Sequence, residues 1–212
     1  ETIDQALMVA GTSQVLDLAL ANSVIRVFAG IPASMLDVDA FWRHSIATGL
    51  AARAIAMERG ESNAERFFVA GLLHDLGRMV LALHEPQRLT RALEDARAGD
   101  VMLHHAERAV LGFDHADVGA GVLAAWRLPP ALQQAVAYHH APLGAVAFPI
   151  EAATVHTADV IAHSFELGAS GQPAVPTLES GAGDRLVLAP GALSVIVDNG
   201  RRQYVDVVQV ML

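Results

Sequence analysis

Apolar residues return along this chain every three or four positions, the spacing of one buried helix face. The clearest case is Phe67, Phe68, Ala70, Leu72 and Leu73. Thr2 and Gln5 have the spacing of a capping box, which predicts a short helix over 2–10 that Gly11 ends. Val15, Leu16, Leu18, Ala19 and Val24 predict a second helix over 13–28, broken by Gly30-Ile31-Pro32. Asp37 or Asp39 starts a long helix to Arg59, with Gly60 as its stop. Ser62 and Glu65 form another capping-box pattern, and the helix they open runs into His74-Asp75, where Gly77 is expected to bend it. Further helices are predicted from Pro86 to Gly99 and from an Asp100 cap to Leu111. An Asp114 cap opens one that runs to Arg127, and Pro129-Pro130 begins another that ends at His139-His140. A longer one covers 150–167. Gly, Pro, Ser and Ala dominate 168–190, which predicts a loop. Leu193, Ile196, Val197, Tyr204 and Val208 predict a last helix over 191–210. The expected organisation is an all-α domain over 1–167, a loop over 168–190, and a C-terminal helix over 191–212 that packs on the same domain.

Composition agrees with a packed helical domain. Hydrophobic residues make up 53% of the 212 and charged residues 17%, while aromatics are only 5%. The apolar mass is mostly Ala, Leu and Val, whose small side chains let helices approach closely. A net charge of −9, from 14 Lys and Arg against 23 Asp and Glu, argues against a nucleic-acid polymer as partner. No uninterrupted apolar run reaches the ~18 residues of a membrane span, and no signal peptide is visible. No membrane partner is therefore expected, and a cytoplasmic location is. Cysteine is absent, so any metal must be held by His, Asp or Glu.

The ten histidines change the picture. Most cluster between His74 and His163, and His44 and Asp159 interrupt otherwise apolar helical segments. A buried carboxylate is costly unless it is paired or bound to a cation. Neighbouring His74 and Asp75 point about 100° apart on a helix, so both reach one ion only at a helix end or bend. Imidazole and carboxylate donors together favour a divalent transition metal such as Fe, Mn or Zn. Each residue also has a plainer reading. His115 could simply start a helix, His139-His140 could close one, and Arg78 could pair with a local carboxylate instead of a phosphate. Glu107 could orient a ligand or sit on the surface. His104, His105, His156 and His163 are expected not to be ligands, and Trp42 and Trp126 are expected to anchor the core.

The order of these segments resembles the HD superfamily of metal-dependent phosphohydrolases. The resemblance is nearer still to the HDOD domain, a related output domain of bacterial signalling proteins. It rests on Trp42-Arg43-His44-Ser45, on Gly71-Leu72-Leu73-His74-Asp75-Leu76-Gly77-Arg78, and on Glu107 followed by Leu111-Gly112-Phe113-Asp114-His115-Ala116. Trp126-Arg127-Leu128-Pro129 and His139-His140-Ala141-Pro142 complete it. It covers residues 1–167, and because the chain opens on Glu1 and such domains begin with further helices, it implies an N-terminally truncated domain. The resemblance implies a first ion on His44, His74, Asp75 and Asp159. By similarity to HD-GYP phosphodiesterases, it implies a second ion on Asp75, His115, His139 and His140. Two such ions could activate water and clamp a phosphate, with Asp75 and Arg78 as the catalytic candidates. The Gly-Tyr-Pro element of those enzymes is absent, and Arg78 stands where they carry Lys. Two functions follow as expectations. One is a signalling output module that works with a protein partner or an upstream receiver or sensor domain. The other is a phosphohydrolase with a nucleotide or other phosphoester ligand.

Overall fold

A computed structural model describes residues 23–24, 36–164 and 175–212. The helices expected over 2–10 and 13–28 lie outside the described residues, apart from 23–24, which are helical. Among the described residues there is no strand, and the fold is an all-α helical bundle.

Helix α1 (Val38–Glu58) starts at the first of the two candidate aspartates, because the Asp37 carboxylate accepts the Ala40 N–H at 3.0 Å. It is buried along most of its length, from Phe41 to Ala56. Helix α2 (Glu65–Leu73) does not use the expected Ser62 box. Ala64 occupies the cap position, and Asn63 Oδ1, one residue nearer the helix, accepts the Arg66 N–H at 3.3 Å. Helix α3 (Leu76–His84) follows after a break at His74-Asp75, with Asp75 at φ −96°, ψ 4°. The bend therefore falls before Gly77. That glycine matters for packing instead, since a Cβ there would lie 1.9 Å from the His115 carbonyl oxygen. The missing side chain is what lets α3 lie against α6 (His115–Ala125). Gly71 does the same between α2 and α1, where a Cβ would lie 2.8 Å from Thr48 O.

Helix α4 (Pro86–Gly99) ends on Asp100, which is left-handed at φ 48° and so closes this helix instead of capping the next. Aspartate tolerates that conformation better than most residues. Helix α5 (Leu103–Leu111) begins after extended Met102. Asp114 caps α6 through a reciprocal box with Asp117, as its sequence position predicts. Helix α6 stops at Ala125, two residues before the expected Arg127, which has φ 58° and turns the chain toward Pro129. Helix α7 (Pro130–Ala137), a 3-10 turn (Pro142–Gly144) and α8 (Pro149–Ser164) follow. Helix α9 (Ser180–Leu186) lies within the stretch expected to be loop. Local composition disfavours a helix there, but burial of Ala182 and Leu186 beside Ala192 and Ile196 outweighs it. Helix α10 (Ala192–Met211) packs on α1.

Helix α1 is the central element and packs against α2, α8 and α10. Around it Phe41, Ile46, Leu50, Leu72, Leu73, Leu76 and Met79 are almost completely buried. Trp42 belongs to this core, edge-on to Phe41 at 5.1 Å, whereas Trp126 is 41% exposed and lies outside the buried core, contrary to expectation. The stretch Glu65–His84 has the length and hydropathy of a membrane span, but 83% of an 18-residue apolar segment within it is buried. It is the core pair α2 and α3, and it carries the break that holds His74 and Asp75.

Candidate metal centre

Five elements converge on Asp75. Helix α1 brings His44, the end of α2 brings His74, α6 brings His115 at its first position, the turn after α7 brings His139 and His140, and α8 brings Asp159 and His163. His44, His74, Asp75, His115 and His139 are at most 1% exposed. Each expected ligand is thus in one cluster, and Asp75 is shared by its two sides.

On one side, Asp159 Oδ1 stands 3.0 Å from His44 Nε2, 3.0 Å from His163 Nδ1 and 3.5 Å from His74 Nε2. His74 Nε2 is 3.4 Å from Asp75 Oδ2. On the other side, Asp75 Oδ1 is 3.1 Å from His115 Nε2 and 3.6 Å from His139 Nε2. His140 Nε2 lies 2.7 Å from His115 Nε2. Buried, almost touching nitrogens of this kind need a proton or a cation between them.

The backs of the rings are tied down. His74 Nδ1 donates to Gly71 O and His139 Nδ1 donates to Val136 O, both at 2.7 Å. His115 Nδ1 donates to Glu107 Oε2 at 2.5 Å, and the same oxygen accepts the His115 backbone N–H at 2.9 Å. Each of these three rings therefore turns Nε2 inward, the usual arrangement behind a metal-bound imidazole. Glu107 is fully buried and fixes the His115 ring, so it is not the surface residue of its other reading. Arg78 is 2% exposed, with its guanidinium 3.0 Å from Asp75 Oδ2 and 3.4 Å from His115 Nε2. It takes the local-carboxylate reading.

The electrostatics describe a site that wants a cation. Burial works against ionising Asp75, but Arg78, His74 and His115 hold its carboxyl well below the usual carboxylate range. Burial opposes ionisation of Asp159 too, and His163, His44 and His74 hold it low. Burial would discharge His74, yet Asp75 and Asp159 outweigh it and raise the imidazole to about 10. His115 is raised to about 9 against the pull of burial, chiefly by Glu107. Burial dominates at the remaining rings and pushes His44 down to about 4, His139 down, and His140 well down.

A metal ion fits this donor set. His74 Nε2 and His139 Nε2 are buried without a hydrogen-bond partner, and the two Asp75 oxygens meet Arg78, His74 and His115 as ion-pair contacts without a directed hydrogen bond. Orphan buried polar atoms are rare in folded proteins and point to an ion or water. Ligand atoms of Asp75, His115, His139 and His140 lie within 4.8 Å of one another, as do those of His44, His74 and Asp75.

His163 is the ligand candidate that sequence reasoning misses. With His44 and Asp159 it forms a third group within the same 4.8 Å. Its signal is the four-residue step from Asp159, which puts both on one helix face. His156, as expected, is no ligand: Nδ1 donates to His139 O at 2.8 Å and Nε2 accepts the Glu179 N–H at 3.0 Å.

Comparison with known proteins places the fold. The profile of the HDOD domain matches residues 1–142. An uncharacterized protein of Treponema pallidum (strain Nichols) is 26% identical over 124 residues, which cover 57% of this chain and 24% of that protein. The chain thus spans about a quarter of the curated relative's length. Among solved structures, an HDOD domain protein of unknown function from Geobacter sulfurreducens superposes with a TM-score of 0.78 at 22% identity. That match covers the whole chain and 74% of the other. A candidate phosphohydrolase from Shewanella amazonensis SB2B gives 0.74 at 20% identity, covering 96% and 73%. A candidate signal transduction protein from Marinobacter aquaeolei VT8 gives 0.68 at 20% identity, covering 81% and 38%.

Proposed function

The chain belongs to the HDOD domain family, and from that premise we propose that it is a signal-transduction output module whose His/Asp pocket holds metal in a structural or sensory role. His44, His74, Asp75, Asp159 and His163 would hold one divalent transition-metal ion; Asp75, His115, His139 and His140 would hold another. The ions would supply fixed positive charge that ties five elements together. In the cell the module would act in the cytoplasm, on a protein partner or beneath a receiver or sensor domain.

One observation carries this reading: the donors face one another inside the core. Asp75 is 1% exposed and Arg78 2%, and the guanidinium is directed at Asp75 instead of being offered to a phosphate. A phosphoester substrate needs donors that leave room for its oxygens, and the groups with that chemistry here are used internally. Ala141-Pro142 after the histidine pair adds no polar group for a substrate.

A second reading, a metal-dependent phosphohydrolase, is favoured by the completeness of the donor set and by Asp75 reaching both sides. Metal there would supply Lewis-acid chemistry toward a nucleotide or other phosphoester. Assay of protein loaded with Mn, Fe or Zn against phosphomonoesters and cyclic and linear phosphodiesters separates the two. The module reading predicts no turnover, with metal raising the melting temperature. Turnover that disappears in Asp75→Ala would replace it with the enzyme reading.

A further inference from the structure

The enclosure of the pocket raises the question of how an ion reaches it. His44, His74, Asp75, His115 and His139 have no appreciable exposure, so an ion must shed its water on the way in. The sequence holds two adjacent-histidine doublets, and the function above uses only His139-His140. The other, His104-His105 at the start of α5, meets it in space. His105 is exposed, while His104 and His140 are partly buried. The His104 ring is 4.1 Å from that of His105 and stacks on His140 at 4.1 Å with 14° between planes. His140 is 3.8 Å from the His139 ring, and its Nε2 is 2.7 Å from His115 Nε2. His115 in turn is 3.1 Å from Asp75. His104 Nδ1 is buried and has no hydrogen-bond partner, so the fold makes no use of it.

We propose that His105, His104 and His140 form an entry relay along which a divalent transition-metal ion passes from solvent to Asp75. The proposal rests on the metal-site reading above. Imidazole nitrogen is a good donor to divalent transition-metal ions, and rings in contact, 4.1 Å between centres from His105 to His104 and from His104 to His140, set a donor-bearing side chain at each step between solvent and the pocket. His140 is also a ligand of the final site, but the outer relay of His105 and His104 is not; it lowers the barrier to entry and leaves that site unchanged. It therefore speeds arrival and departure equally and has no effect on affinity.

The test is stopped-flow loading of the metal-free chain with Co2+, followed by release into excess chelator. His104→Phe keeps a flat ring to stack on His140 and removes both nitrogens. His105→Ala alters an exposed position and guards against misfolding of the first variant. In His104→Phe, loading and release should both slow by about tenfold, the effect of about 1.4 kcal/mol on the barrier, with dissociation constant and stoichiometry unchanged. His105→Ala should slow both in the same ratio, by less. Unchanged rates in both variants would overturn the relay. A loss of affinity matching the loss of loading rate would also overturn it, since His104 would then only buttress His140. If the unaltered chain takes up no Co2+, the metal-site reading itself fails.

Discussion

The two sides of Asp75 are built from the same kinds of residue and differ in charge. One side sets His44, His74 and His163 around a carboxylate of its own, Asp159, and shares Asp75. The other sets His115, His139 and His140 around Asp75 alone. Its second carboxylate, Glu107, stands behind His115 on Nδ1 and does not face the donors. Arg78 lies against His115 Nε2 as well as Asp75. One additional carboxylate at ~4 Å is worth roughly 4 kcal/mol for each unit of the ion's charge at an effective dielectric of 20, before the cost of desolvating it. That is larger than any difference the imidazoles themselves would make. The Asp159 side should therefore bind an ion first and more tightly, while the His115 side binds later or only at higher metal concentration. Counting ligands, five against four, would rate the two sides nearly equal; the comparison teaches that the surplus carboxylate and the guanidinium set the order.

The strongest way to break the comparison is to remove the surplus carboxylate. Asp159→Asn should weaken the tighter site by at least roughly 1,000-fold, the equivalent of ~4 kcal/mol for a single unit of ion charge, and leave the weaker site nearly unchanged. Titration calorimetry of the variant reads this as loss of the first step with the second kept. A smaller effect, on stability, comes from the helix crossing that supports the weaker side. Gly77→Ala would drive a methyl group into the His115 carbonyl, so α3 and α6 must separate. The metal-free variant should lose about 3 kcal/mol in denaturant unfolding. Because His115 moves and His44 and Asp159 do not, the loss of metal affinity should fall on the His115 side. An equal loss on both sides would mean that the sides are not separable.

Much of this is legible in the sequence. Asp37 and Asp114 announce their helices because a cap is a local hydrogen bond, made between residues three apart. His44, His74, Asp75 and Asp159 are conspicuous because each interrupts an apolar helical pattern. What escapes depends on tertiary packing. By its sequence position Gly77 should bend its own helix, but its role lies in the helix it meets. Helix α9 exists because Ala182 and Leu186 find a buried surface that local composition does not describe. Asp100 and Ser62 look like caps, yet the former closes α4 and the latter yields to Asn63. In the sequence His163 is one histidine among several near a helix end. Its step of four from Asp159 acquires meaning only once His44 is known to face the same carboxylate. Glu107 is ambiguous in the sequence because it and His115 belong to different helices, α5 and α6.

The most direct test of a two-sided, unequal metal pocket is a calorimetric titration of the metal-free chain with Mn2+ or Zn2+, with bound metal measured after desalting. The account predicts two binding steps of clearly different affinity, the tighter one retained through desalting. Protein that retains no ion, or two steps of equal affinity, would contradict it.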